Sequence, residues 1–132
     1  MSFSPARGQQ NGGGLTGVWT SDDGGMDIEF FKCGAEICGA IAALHEDDGS
    51  GKPPLDENNP DASLRGRPLL GLRIITGLTL EEEGRWSGGT MYAPEKGLHV
   101  GVEVTLVATH ELEMTVRKLF FRRKATWRRV ET

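Results

Sequence analysis

No run of about eighteen consecutive apolar residues occurs, which excludes a membrane-spanning helix. Cysteine is scarce, with two among 132 residues, and the three histidines are scattered at positions 45, 99 and 110. Neither set has metal-ligand spacing, so no metal is expected. Surplus charge is lacking too: 15 basic against 19 acidic residues leave a net charge of −4, too little for a global field that would draw in nucleic acid. There is no Gly-x-Ser-x-Gly nucleophile turn. Gly51-Lys52 is followed by Pro53, which excludes a phosphate loop, and Asp47-Asp48-Gly49-Ser50-Gly51 lacks the spacing and closing glutamate of a calcium loop. No catalytic constellation and no cofactor are expected, and the chain reads as a non-enzyme.

Glycine is what the chain has in excess: 19 residues, about twice the usual share. Such an excess points to turns and bulges between short strands. The first fourteen residues lack an apolar signal core and end in glycines, so they read as a disordered tail (1–14) ahead of one domain (15–132). Either the chain is cytoplasmic or it begins after a removed signal.

Alternation of period two recurs along the domain. Gly17 to Thr20 is a short strand stopped by Ser21 to Gly25. Met26, Ile28 and Phe30 alternate with Asp27 and Glu29. Cys33 to Cys38 is a tight reversal, and Gly39 to Leu44 runs back with Ile41 inward. Leu69 to Leu80 would place Leu70, Leu72, Ile74, Thr76 and Leu78 on one face. Arg85 to Tyr92 contains Gly88-Gly89, a bulge signal. Leu98 to Val107 alternates most clearly, with Leu98, Val100, Val102, Val104 and Leu106 on one side. Leu112, Met114 and Val116 follow, with Leu119 to Arg122 continuing that strand, and Thr126 to Val130 is last. About eight strands at hairpin spacing predict an all-β, antiparallel up-and-down sheet that closes into a barrel and so removes its exposed edges. A barrel of that size is filled by side chains or holds one small ligand.

Between the strands, residues 45–68 are polar, aperiodic and rich in Gly, Pro, Asp and Asn. A loop this long in a compact domain is unusual and often functional. Its densest polar group is Asp56, Asn58, Asn59, Asp61, Arg65 and Arg67, read as a latch of turn caps and an Asp–Arg pair, or as a gate at the barrel mouth. Cys33 and Cys38 flank the tight reversal. Set directly opposite each other, their Cα atoms would lie ~4.5 Å apart, within disulfide reach, and two buried free thiols are the alternative. Residues from Arg117 onward are strongly basic: Arg117, Lys118, Arg122, Arg123, Lys124, Arg128 and Arg129.

Gly17-x-Trp19 near the start, with Trp127-Arg128-Arg129 near the end, resembles the closing signature of calycin (lipocalin-like) barrels. That resemblance implies Trp19 at the closed end beneath Arg129, joining the chain ends. A broader set of motifs covers nearly all of Gly17 to Val130: Gly17-Val18-Trp19, Cys33-Gly34 with Ile37-Cys38-Gly39, Gly51-Lys52-Pro53, Asp56-x-Asn58-Asn59-Pro60-Asp61, Arg67-Pro68-Leu69-Leu70-Gly71, Trp86-x-Gly88-Gly89-x-x-Tyr92-x-Pro94 and Thr126-Trp127-x-Arg129. In that order they resemble domain-of-unknown-function family 2147, small secreted bacterial proteins. The resemblance implies a lipocalin-like barrel and a periplasmic or secreted address. Ala93 departs from the aspartate of the family pattern.

Two functions follow from these readings. The first is non-enzymatic binding of a small apolar ligand, such as an acyl chain, lined by Phe30, Ile41, Ile74, Trp86, Tyr92, Val102, Val104 and Met114. The second is an interaction module docking a protein or nucleic-acid partner through the 45–68 loop or the basic C-terminal hairpin, whose aromatics could stack on bases. For that second reading, alternating strand faces split the charges between two sides.

Overall fold

The structure, a computed structural model, describes residues 14–45 and 49–130. The expected tail (1–14) lies outside the described residues apart from Gly14, as does the acidic run Glu46 to Asp48 of the loop.

Eight strands follow one another: β1 (Gly17–Ser21), β2 (Met26–Cys33), β3 (Glu36–Leu44), β4 (Arg73–Glu82), β5 (Arg85–Ala93), β6 (Leu98–Ala108), β7 (Glu111–Lys118) and β8 (Phe121–Arg129). Each pairs antiparallel with the next, and β1 pairs with β8, closing an up-and-down barrel. A single 3-10 turn, Ala62–Leu64, is the only helical element among the described residues. Strict up-and-down order sorts the connections. The β2–β3, β4–β5 and β6–β7 turns share one end, the base, with the start of β1 and the end of β8. The β1–β2, β5–β6 and β7–β8 turns share the mouth with the long β3–β4 connection.

The core is one cluster of inward side chains, including Trp19, Ile28, Phe30, Ile75, Trp86, Val104, Leu112 and Trp127. At the base, Trp19 is fully buried and its Nε1 donates to Leu15 O at 2.9 Å. Arg129 Cζ lies 4.3 Å from the Trp19 ring centroid. Its guanidinium donates to the carbonyls of Thr16 (3.2 Å), Thr109 (3.3 Å) and Gly14. One planar cation thus stacks on the indole while tying together the first and last strands and the β6–β7 turn, the fork geometry only arginine offers.

Several local expectations are corrected. β4 begins at Arg73, not Leu69. Gly71, at φ 81°, bonds back to Ile41 O, and Leu72 N donates to Leu69 O, so Leu69 to Leu72 form a turn. The expected face of β4 holds only in part: Ile74 and Leu78 are buried, but Leu70 and Thr76 are exposed and Ile75, expected on the other face, is buried. Gly77 at φ 80° and two register shifts against β3 break strict alternation there. Gly88 does sit at an irregularity, between Trp86 and Gly89 against β6. A Cβ on Gly89 would meet Leu78 at 2.8 Å, so that position must stay small. Leu98 is exposed rather than inward.

Leu119 to Arg122 do not continue β7. The chain reverses at Leu119-Phe120, with Leu119 at φ 55°. No glycine, asparagine or proline marks that turn, so sequence alone gives no reason to place it. The cysteines are not directly opposite either. The β2–β3 reversal is two residues, Cys33 pairs with Glu36, and Phe31 pairs with Cys38. Cys33 and Cys38 are disulfide-bonded across this diagonal, their Cα atoms 5.8 Å apart.

Candidate functional site

The mouth is where the sequence puts its polar residues, and it has two unlike sides. On one side the long connection packs against β3, β5 and the β5–β6 turn. The cover is fixed by one carboxylate. Asp56 is 1% exposed. Its Oδ1 accepts from the Tyr92 hydroxyl at 2.6 Å, and its Oδ2 accepts from Asn59 Nδ2 at 2.8 Å and Arg67 Nε at 2.9 Å. Asp56 N donates to Arg67 O at 3.0 Å, beside a bridge between Leu55 and Pro68, so the connection folds back on itself as a small ladder. A buried charge needs such partners, and charge-assisted bonds are the strong ones. Burial alone raises the Asp56 pKa. The bonds from Tyr92, Asn59 and Arg67, with the Arg67 charge, outweigh it and hold the carboxyl below the ordinary carboxylate range. Burial, then the bond and charge of Asp56, push the Tyr92 hydroxyl above the ordinary phenol range.

The β5–β6 turn completes the latch. Asn58 Nδ2 donates to Pro94 O (3.3 Å) and Glu95 O (3.1 Å). Gly97, at φ 65°, comes so close to Asn58 that an added Cβ would lie 2.0 Å from its carbonyl oxygen. Of the predicted loop cluster, Asp56, Asn59 and Arg67 meet directly. Arg65 joins through its Nε, which donates to Asn59 O at 2.6 Å. Asp61 joins only through its backbone N–H, which donates to Asn59 Oδ1 at 2.8 Å; its carboxylate turns outward and caps the 3-10 turn, accepting from Ser63 N at 3.0 Å and Ser63 Oγ at 2.7 Å. Tyr92, expected as ligand lining, is the latch's anchor on the barrel, and its ring lies 5.1 Å from that of His99.

The eight residues expected to line a cavity, Phe30, Ile41, Ile74, Trp86, Tyr92, Val102, Val104 and Met114, are each no more than 5% exposed and belong to the one core cluster. Phe30, Ile41, Trp86, Val102, Val104 and Met114 belong to the barrel core, whereas Tyr92, opposite His99 in the register, faces the long connection. The accessible part of the inner wall is elsewhere, on the β8 side of the mouth. Leu112 pairs with Trp127, Met114 with Ala125, and Val116 with Arg123, so all six share the inner face. Trp127 is buried, but Ala125, Arg123 and Phe121 are exposed. β1 stops pairing with β8 at Ser21 opposite Trp127, whereas β7 stays paired to Phe121. The barrel wall is therefore lower on the β1 side, and that notch uncovers the inner face of β8. Arg123 stands there with its Cζ 5.1 Å from the Phe121 ring centroid. The wrong placement of the β7–β8 turn hid this side from the sequence. With the turn at Leu119-Phe120, the alternation Phe121, Arg123, Ala125, Trp127 becomes readable. Among the described residues no group of three or more His, Cys, Asp or Glu could hold a metal ion.

Comparison with known proteins agrees with this architecture. No curated protein matches the chain. A solved structure, that of protein HP1028 from the human pathogen Helicobacter pylori, described as belonging to the lipocalin family, superposes with a TM-score of 0.77 at 22% identity, over 89% of this chain and 83% of that one. At that identity the likeness establishes the fold, an eight-stranded lipocalin-like barrel. The model of the family described as "uncharacterized protein conserved in bacteria (DUF2147)" matches residues 17–129. The barrel, the closed base and that match over nearly the whole chain agree, and the chain belongs to the DUF2147 family.

Proposed function

We propose that this protein binds a small apolar ligand with an anionic end, such as a fatty acid, and acts as a binding protein rather than a catalyst. The observation that carries the reading is the notch beside β8, where the inner wall, apolar at half-buried Val116 and exposed Ala125 next to buried Met114, opens to solvent beside the Arg123 guanidinium. An acyl chain laid against that wall gains ~0.8 kcal/mol for each buried CH₂, and Arg123 would take the carboxylate. Of the eight proposed lining residues, Met114 is the one on this wall. It is buried like the other seven, and any of the eight would be reached only by displacing packed side chains. A binding role also fits Asp56, whose two oxygens are already occupied by three donors.

Titration with a fluorescent long-chain fatty acid, with native mass spectrometry alongside, tests this reading. Saturable one-to-one binding, weakened at least about tenfold by Arg123→Ala through loss of a charge-assisted bond, is the expected result. An absence of saturable binding for chains of any length would refute the reading.

The second reading, a docking module, divides. In the 45–68 loop Asp56, Asn59 and Arg67 bond to one another and to Tyr92, while Lys52, Glu57, Asp61 and Arg65 stay exposed to a partner. The basic hairpin stays available as well. A periplasmic or secreted address is proposed on the family resemblance and on the Cys33–Cys38 disulfide, which persists in oxidising compartments.

A further inference from the structure

The β7–β8 hairpin carries a pattern that barrel closure does not explain. Residues 117–124 read Arg-Lys-Leu-Phe-Phe-Arg-Arg-Lys, five cations and three large apolar residues with no acid among them. At the tip, Leu119 is 92% and Phe120 fully exposed, and Phe121 beside them is 44% exposed. Leu119 occupies a left-handed backbone conformation that glycine or asparagine takes more readily. Cations along an uncovered strand are a familiar guard against edge-to-edge pairing, and β8 beyond Trp127 has such an edge. That guard explains Arg122, Arg123 and Lys124, but it disfavours an apolar tip.

We infer that this hairpin docks the protein on an anionic lipid surface, with Leu119 and Phe120 entering the headgroup region and the surrounding cations meeting lipid phosphates. Apolar side chains ringed by Lys and Arg match such an interface in both respects. The charges facing the hairpin permit it. Glu103 pairs with Arg117, and Glu113 lies 4.0 Å from Lys124. Lys118 donates to His99 O, and Arg123 stacks on Phe121. Arg122 makes no ion pair among the described residues. Asp22 and Asp23, the acids of the β1–β2 turn, lie beyond the last β1–β8 pair. The paired ribbon extends roughly 20 Å from Trp127, opposite Ser21, to the tip, so the tip stands beyond these two acids, which lie in the tight turn just past Ser21. A flat surface meeting the tip therefore feels the hairpin before that turn. This inference does not depend on what the barrel holds.

The test uses the full chain carrying Phe120→Trp as a reporter, mixed with vesicles of pure phosphatidylcholine or with about one third phosphatidylglycerol. Indole emission should shift to the blue with the anionic vesicles alone, and the shift should fade toward ~0.5 M salt. In co-sedimentation of the otherwise unaltered chain, Leu119→Ser with Phe120→Ser should weaken binding at least about tenfold, as should Arg122→Glu with Lys124→Glu. All four side chains are exposed, and circular dichroism verifies the fold. The inference is overturned by an unshifted reporter, by equal binding to neutral vesicles, or by vesicle binding that survives both double variants. Binding to oligothymidylate without vesicle binding would also overturn it and assign the hairpin to single-stranded nucleic acid.

Discussion

Trp19 shows how much one side chain can contribute to this fold. It is fully buried, its indole N–H is satisfied by Leu15, and Arg129 covers its face. Trp19→Ala removes the plug of the base and should cost ~3–5 kcal/mol in urea unfolding. A loss under ~1 kcal/mol would mean the base is not packed around it. Asp56 makes the corresponding case for a polar residue. Tyr92→Phe leaves Oδ1 of a buried carboxylate without its donor and should cost ~1–3 kcal/mol. The pH dependence follows from the lowered Asp56 pKa. Between its folded and unfolded values the unfolded chain holds more protons, so stability rises with pH across that interval. The contribution is complete above the unfolded value of ~3.9 and is lost as pH falls through the folded one. Asp56→Asn should flatten this acid limb in unfolding curves taken from about pH 2 to 6. Some slope will remain, because Asp23, held low by Ser21 and Gly25, and Asp61, held low by Ser63, titrate in the same direction.

At the scale of elements, the long β3–β4 connection and the β5–β6 turn behave as one piece. Gly97 allows their approach, since it combines a left-handed backbone with a contact that no side chain fits. Gly97→Ala should destabilise by at least ~1–2 kcal/mol from the backbone alone and should push the two elements apart. Limited proteolysis would then cut faster within 49–72 than in the strands, because opening of a covering loop is a local event. Uniform acceleration across the barrel, or none, would contradict this view of a single latch. The same scale explains two errors of pattern reading. Alternation fails in β4 because Gly77 and the shifted register move Ile75 and Leu78 to the buried side together. The β7–β8 turn has no turn-forming residue, so the hairpin looked like one strand running on.

At the scale of the whole molecule, closure requires β1 to meet β8, a pairing between the two ends of the domain that joins Trp19 to Arg129. Contacts so distant in sequence are slow to form because the intervening chain must be ordered first. Stopped-flow refolding should therefore fall in the millisecond-to-second range of barrels and sandwiches, and a microsecond phase carrying the full amplitude would argue against late closure. The number of strands, their order, the alternation of β2 and β6 and the family were legible in the sequence, because period-two patterning and short turn signals are local properties. The polar cluster of the 45–68 loop was also visible as composition. Its geometry was not: Tyr92 lies 36 residues from Asp56, and only the folded barrel brings that hydroxyl to the carboxylate while sending neighbouring Asp61 to cap a turn. Likewise, the cations of the last hairpin could be counted in the chain, but their exposure depends on where β1 ends beside β8. Local spacing decides which residues can form a strand, and the meeting of distant segments decides which of them water still reaches.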